Sequence, residues 1–227
     1  YCFRWAQFVG LEDLKFASKE ADQLAAYLRA NPQVTDVLLT GGDPMVMKAR
    51  VLERYIEPLL GIESLRTIRI GTKSVAYWPQ RFVTDADADD VLRLFDRVAD
   101  SGKHLALMGH YSHAVELSTA VSVEAVRRIR GTGANIRMQS PVIRHVNDDA
   151  RAWVDLWTIG TQLGCIPYYM FVERDTGAKK YFEMPLVRAW NIFRNAYQQI
   201  PGTARTVRGP SMSCFPGKCH ILGVSDI

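Results

Sequence analysis

Long apolar runs, a strong charge of either sign, internal repeats and low-complexity stretches are all missing from this sequence. No run approaches the roughly 20 apolar residues that span a bilayer, and no signal peptide opens the chain, so a membrane or exported protein is not expected and the cytoplasm is. The formal net charge of +4 is too mild for a nucleic-acid groove; evenly solvated faces account for it. Cysteine is scarce. Cys2, Cys165, Cys214 and Cys219 show no secreted disulfide spacing, which leaves metal binding, catalysis or burial. A leading methionine is missing too, and a start at Tyr1 reads as a piece of a longer protein.

What is present is globular. An apolar fraction of 48% over 227 residues can bury one large core. Apolar segments at Asp36–Thr40, Thr67–Gly71, His104–Met108, Asn135–Ser140 and Pro167–Val172 read as strands, with a shorter one near Ala204–Val207. Helix-like stretches lie between them. Ser18 can cap one that stops at Asn31-Pro32, and Met47–Leu60 has helical spacing. Asp87–Ser101 sets Val91, Leu92, Leu94, Phe95 and Val98 on one face, with Gly102 at its end. Ser122–Ile129, Asp148–Leu163 and Pro185–Tyr197 follow. This order predicts a parallel sheet with right-handed crossovers. A strand about every 30 residues suits a β/α barrel, here a partial one, better than an open sheet.

In such folds ligands sit at the C-terminal ends of the strands. Val37, Leu38 and Leu39 are consecutive, which predicts a strand buried on both faces. It leads into Thr40-Gly41-Gly42-Asp43-Pro44. There the glycines are expected to turn with positive φ, Asp43 offers an acceptor and Pro44 suits a first helical turn. Taken alone this is either a plain turn or a ligand cradle. Polar and small residues recur at the other strand ends: Arg69-Ile70-Gly71-Thr72, His110-Tyr111-Ser112-His113, Gln139-Ser140 and Glu173-Arg174-Asp175. Their shared topological position favours a binding mouth over ordinary loops.

Several features have duller readings. His110 and His113 are spaced to share a metal, but no acid or cysteine stands at ligand spacing, so hydrogen bonding to a ligand or to the loop is preferred. Asn147-Asp148-Asp149 suggests magnesium, yet it makes a good helix cap, with Asn147 facing the mouth. Lys218 in Pro216-Gly217-Lys218 is either a solvated turn lysine or a Schiff-base lysine. Cys214 and Cys219 flank it, and without two more cysteines they make no metal site.

Read in order, the chain resembles the lysine 2,3-aminomutase family of radical S-adenosylmethionine (SAM) enzymes. The resemblance rests on Tyr1-Cys2-Phe3-Arg4, Leu38-Leu39-Thr40-Gly41-Gly42-Asp43-Pro44 and Arg69-Ile70-Gly71-Thr72 with Pro79-Gln80-Arg81. It continues through His110-Tyr111-Ser112-His113, Gln139-Ser140-Pro141-Val142-Ile143-Arg144, Val146-Asn147-Asp148 and Pro167-Tyr168-Tyr169, and thins beyond Asp175. It implies an α/β fold of the radical SAM type: a partial, TIM-like β/α barrel, six-stranded in the family, with the first strand lying before Tyr1. Residues 1–200 would form the barrel core and 201–227 a C-terminal segment with the candidate pyridoxal-lysine loop.

The resemblance also implies cofactors. Cys2 looks like the third cysteine of the Cys-x3-Cys-x2-Cys loop that holds a [4Fe–4S] cluster, the other two lying before Tyr1. Thr40, Gly41, Gly42 and Asp43 would receive the amino group of SAM, with Arg69, His110, Gln139 and Asn147 around it. Arg4 would pair with the α-carboxylate of an amino-acid substrate. An electron from a donor partner would cleave SAM to a 5′-deoxyadenosyl radical, which takes a hydrogen atom from the substrate, and pyridoxal phosphate would carry the migrating amino group on Lys218.

Two departures stand out. The lysine enzymes hold the distal ammonium of lysine with two aspartates, and the nearest positions here are Arg174 and Arg208. A distal ammonium would meet like charge, which argues for an acidic or neutral substrate side chain. The family's glycine-rich lysine loop is replaced by the bulkier Gly209–Lys218. Competing readings are a radical SAM enzyme without pyridoxal phosphate, a Schiff-base aldolase-like barrel using Lys218, and a non-catalytic scaffold. Homo-oligomerisation stays open.

Overall fold

The computed structural model describes residues 21–173, 178–215 and 217–225, and these fall into two compact units. Among the described residues, 21–110 with Ser118–Arg137 make the first; Tyr111–Leu117, with Met138 onward, make the second. The first unit carries α1 (Ala21–Ala30), β1 (Asp36–Leu39), α2 (Ala49–Leu60), β2 (Thr67–Thr72), a one-turn α3 (Ser74–Tyr77), α4 (Ala88–Asp100), β3 (His104–His110) and α5 (Ala120–Gly131). β4 (Asn135–Val142) begins in the first and ends in the second. The second continues with α6 (Ala150–Gln162), β5 (Ile166–Val172), α7 (Lys179–Phe182), α8 (Leu186–Gln199), β6 (Arg208–Cys214) and β7 (Gly217–His220). Along the sheet the strands follow chain order.

In the first unit β1, β2 and β3 pair in parallel, with Leu39 opposite Ile70 and Thr72 opposite Gly109. That register levels the C-terminal ends of the three strands. β2 alternates half-buried and buried residues, whereas β3 is buried throughout its middle. α4 follows the expected face. Val91, Leu92, Leu94, Phe95 and Val98 are buried, Asp89 and Asp90 lie in its first turn, Arg97 in its last, and Gly102 leaves it at φ 76°. Each of those larger side chains contributes about 2 kcal/mol by leaving water.

β1 departs from expectation. Leu38 is 41% exposed, so the strand is not covered on both faces. Among the described residues β1 is an edge strand, with a neighbour on one side only.

The second unit is built on Trp153 and Trp157 of α6, with ring centroids 5.2 Å apart, and on Ala189, Ile192 and Ala196 of α8. Asp149 caps α6 by accepting from the Ala152 amide at 2.9 Å, the role expected of that acidic cluster.

The end of the chain differs from the sequence reading. Ala204 lies in a short 3-10 turn, Gly202–Ala204, and the strand begins only at Arg208. Residues read as a pyridoxal loop form an antiparallel hairpin, with Ser213 opposite Lys218 and β6 parallel to β5. Small polar residues hide this strand from a hydrophobic-periodicity reading, and pairing to β5 forms it. The pairing needs Gly209, because a Cβ there would sit 2.7 Å from the Met170 carbonyl oxygen and 2.9 Å from its Cβ. Gly209→Ala is therefore expected to lower stability by about 2 kcal/mol in urea unfolding. An unchanged midpoint would show that β5 and β6 part freely. No helix among the described residues is long and apolar enough to cross a membrane.

Candidate functional sites

The level strand ends of the first unit gather around Asp43. Its Oδ1 accepts from the Met45 amide (3.0 Å) and the Thr72 hydroxyl (2.7 Å). Its Oδ2 accepts from the amides of Lys73 (2.8 Å) and Ser74 (2.9 Å) and from the Ser74 hydroxyl (3.0 Å). Five donors converge on one carboxylate and tie the turn after β1 to the end of β2. Asp43 also caps the 3-10 turn Pro44–Val46, placing Pro44 in a first helical turn as expected.

The glycines do not turn as the sequence suggested. The left-handed glycines among the described residues are Gly102, Gly133 and Gly164, so Gly41 and Gly42 bend without positive φ. The hydrogen bonds of Asp43 hold the turn instead. An added Cβ on Gly41 would meet nothing within 4 Å, so space stands open beside this backbone. Thr40 is exposed.

Arg81 supports the turn from beneath. It is 2% exposed; its Nε donates to the Met45 carbonyl (2.8 Å), its Nη2 to the Met47 carbonyl (3.0 Å), and both Nη atoms to Asp87 (2.6 and 3.2 Å). Asp87 in turn accepts from the Ala49 amide at the start of α2 (2.7 Å). His110 closes β3. Burial, and secondarily the charge of Lys73, push its imidazole down to about 3, so it is neutral at ordinary pH. Arg69 is not brought to this cluster: its guanidinium pairs at 2.7 Å with Asp36, at the opposite end of β1.

In the second unit Asn147 is 1% exposed, and its amide is occupied by backbone. Oδ1 accepts from the Ile143 amide (2.7 Å), and Nδ2 donates to the Ser112 (2.9 Å) and Pro141 (3.1 Å) carbonyls. Any contact with a cofactor would fall to other atoms. The Gln139 carbonyl accepts from the Tyr111 amide at 3.2 Å. His113 turns inward on its own loop, Nδ1 accepting from Val115 at 3.3 Å, which favours the loop reading over a metal. No group of three His, Cys, Asp or Glu side chains among the described residues is placed to hold a metal.

The hairpin brings Lys218 and Arg208 together around Tyr169. Lys218 Nζ lies 4.0 Å from the Tyr169 ring centroid and 5.3 Å from that of Phe171, and the two rings stack at 5.1 Å. Burial raises the Tyr169 hydroxyl, but the Lys218 charge and hydrogen bonds from Tyr168, Lys218 and Arg208 outweigh it and hold the group below the usual phenol range. Cys2, Arg4 and Arg174 lie outside the described residues.

No family model matches the chain. It is 31% identical over 226 residues to a putative L-lysine 2,3-aminomutase of Aquifex aeolicus, covering 100% of this chain and 59% of that protein. The chain is a relative of the L-lysine 2,3-aminomutases. It is also 26% identical over 174 residues to the glutamate 2,3-aminomutase of Clostridioides difficile, covering 77% of this chain and 39% of that one. Among solved structures, a radical SAM methyltransferase from Sphaerobacter thermophilus superposes with a TM-score of 0.55 at 18% identity, over 85% of this chain and 56% of that one. The fold is thus the partial β/α barrel of radical SAM enzymes. The chain spans about three fifths or less of the length of the curated relatives it matches.

Against the aminomutase resemblance, sequence reading missed Thr72, Lys73 and Ser74 as the partners of Asp43. The polar run that closes β2 was their signal. It also missed that Arg208 and Lys218 share Tyr169, which only the β5–β6–β7 pairing reveals.

Proposed function

We propose that the chain carries the core of a radical SAM enzyme that abstracts hydrogen from an amino acid and moves its amino group between neighbouring carbons. The observation that carries this reading is Lys218 held beside Tyr169 and Arg208, at the place where the aminomutase resemblance puts a pyridoxal lysine.

The chain's residues fit the implied groups unequally. Open space beside Gly41 suits an amino-acid end of SAM approaching the backbone, and Asp43 would hold that backbone rigid rather than act as the free acceptor. The described residues do not supply the donor set of a [4Fe–4S] cluster. For pyridoxal phosphate the chemistry fits: Lys218 offers an amine, and Tyr169 and Phe171 offer aromatic faces. When bound, it supplies the electron-delocalising carrier through which an amino group migrates. Lys218 would hold it.

For the substrate, Arg208 presents positive charge where the lysine enzymes present a carboxylate, which supports an acidic or neutral side chain. A glutamate-acting protein among the relatives accords with this. An electron donor is the partner this chemistry requires.

The test uses the full-length protein with its cluster reconstituted. It is expected to show the visible absorbance of bound pyridoxal, lost in Lys218→Ala. Turnover should favour glutamate-like over lysine-like amino acids. Absence of the chromophore from the parent protein would favour radical SAM chemistry without pyridoxal phosphate. A clear preference for lysine would overturn the reading of Arg208.

A further inference from the structure

The β6–β7 hairpin carries a second chemistry on its other face. Its register sets Cys214 opposite Gly217 and Cys219 opposite Met212, and directly opposed residues of an antiparallel pair share a face. The two cysteines are therefore diagonal neighbours on one face, while Lys218, one residue away, projects to the other. Their sulfur atoms are 2.9 Å apart. Cys219 is exposed and Cys214 partly so, next to a turn whose Phe215 is 99% exposed. Cys165, by contrast, is buried at 3% exposure.

We propose that Cys214 and Cys219 form a reversible dithiol–disulfide pair, a redox modification site on the hairpin that reacts with disulfides of low-molecular-weight thiols. The thiolate of one cysteine attacks such a disulfide, RSSR; its S–S bond breaks, one RS⁻ leaves and a mixed disulfide forms. The second cysteine's thiolate then attacks the protein-bound sulfur, closing the Cys214–Cys219 bond and releasing the other RS⁻. The two cysteines lose two electrons, RSSR gains them, and the two thiol protons end on two RSH.

The hydrogen bond shared with Cys214, then its Coulomb effect and burial, raise Cys219. A metal is the competing occupant of two adjacent thiols. His220, the next candidate ligand, points to the opposite face from Cys219, and no three-ligand group exists among the described residues. The site stands on hairpin geometry alone, so its failure would leave the aminomutase reading untouched.

Trypsin cuts after Arg208 and after Lys218, which puts Cys214 and Cys219 in separate peptides. The intact protein is equilibrated in glutathione buffers of graded [GSH]²/[GSSG], trapped with N-ethylmaleimide, digested and weighed. The disulfide-linked peptide pair should rise from roughly a tenth to nine tenths of the total over an approximately hundredfold change in that ratio, and dithiothreitol should reverse it. Cys165 should stay unlinked throughout. Cys219→Ser and Cys214→Ser should each abolish the linked pair and leave one glutathione adduct. Glutathione adducts without a linked pair in the parent protein, at every ratio, would overturn the proposal. So would one equivalent of zinc retained by the reduced parent and lost in either serine variant.

Discussion

Asp43→Asn is expected to unfold about 3 kcal/mol more easily than the parent chain, measured by urea titration. Asparagine keeps one carbonyl oxygen and replaces the other with an NH2. That donor would face donors: the amides of Lys73 and Ser74 on one side, or Met45 and Thr72 on the other. Hydrogen bonds to a charged acceptor contribute about 1.5–3 kcal/mol each and are not additive, and an unsatisfied amide adds its own desolvation cost. If the proposed SAM site lies beside Gly41, SAM binding should weaken with stability, because that backbone loses its anchor. Parent-like stability with SAM binding abolished would instead make the carboxylate a direct ligand. Asp43→Glu should not rescue stability, since one more methylene displaces both oxygens from five fixed donors.

Arg81→Met is expected to cost about 3 kcal/mol, because a buried guanidinium that donates to a half-buried carboxylate and two backbone carbonyls is lost. It would strand Asp87 and leave the Met45 and Met47 carbonyls without their donor. The pH dependence has a definite sign. Burial pushes Asp87 up, but the Ala49 amide and Arg81 outweigh it, so its folded value lies below the ordinary 3.8. A depressed carboxylate contributes stability that is complete above its unfolded value and lost as pH falls through the lower folded one. Stability of the parent should therefore decline as pH drops below about 3.8, and Arg81→Met should flatten that decline. Asp87 is 30% exposed, so solvent screening limits the size of the effect. A loss under about 1 kcal/mol would mean the turn collapses around methionine without strain.

Helices and central strands were legible because burial writes itself into spacing. Val91, Leu92, Leu94, Phe95 and Val98 predict one face of α4 and occupy it. Asp149 predicts a cap and makes one. Where hydrogen bonds rather than apolar area decide the structure, the sequence was less clear. Gly41-Gly42 pointed to a left-handed turn, whereas a carboxylate gripping the next strand's end shapes it, and that partner is 29 residues away. Arg208–Cys214 has no alternation to display; it is a strand because β5 offers an edge and Gly209 lets it approach. Arg69 and Asn147 show the same limit. Position at a strand end marks both as candidates, and only coordinates reveal that Asp36 and three backbone groups already engage them.

The terminal strand also bears on how the protein behaves in company. Among the described residues β7 ends the sheet, four residues long, all exposed and antiparallel to its neighbour. An open edge invites other chains to add strands, and brevity together with a charged side chain discourages them. Lys218 supplies that charge at the rim. Its removal would therefore make the protein more prone to self-association, and light scattering belongs beside absorbance whenever Lys218→Ala is compared with the parent.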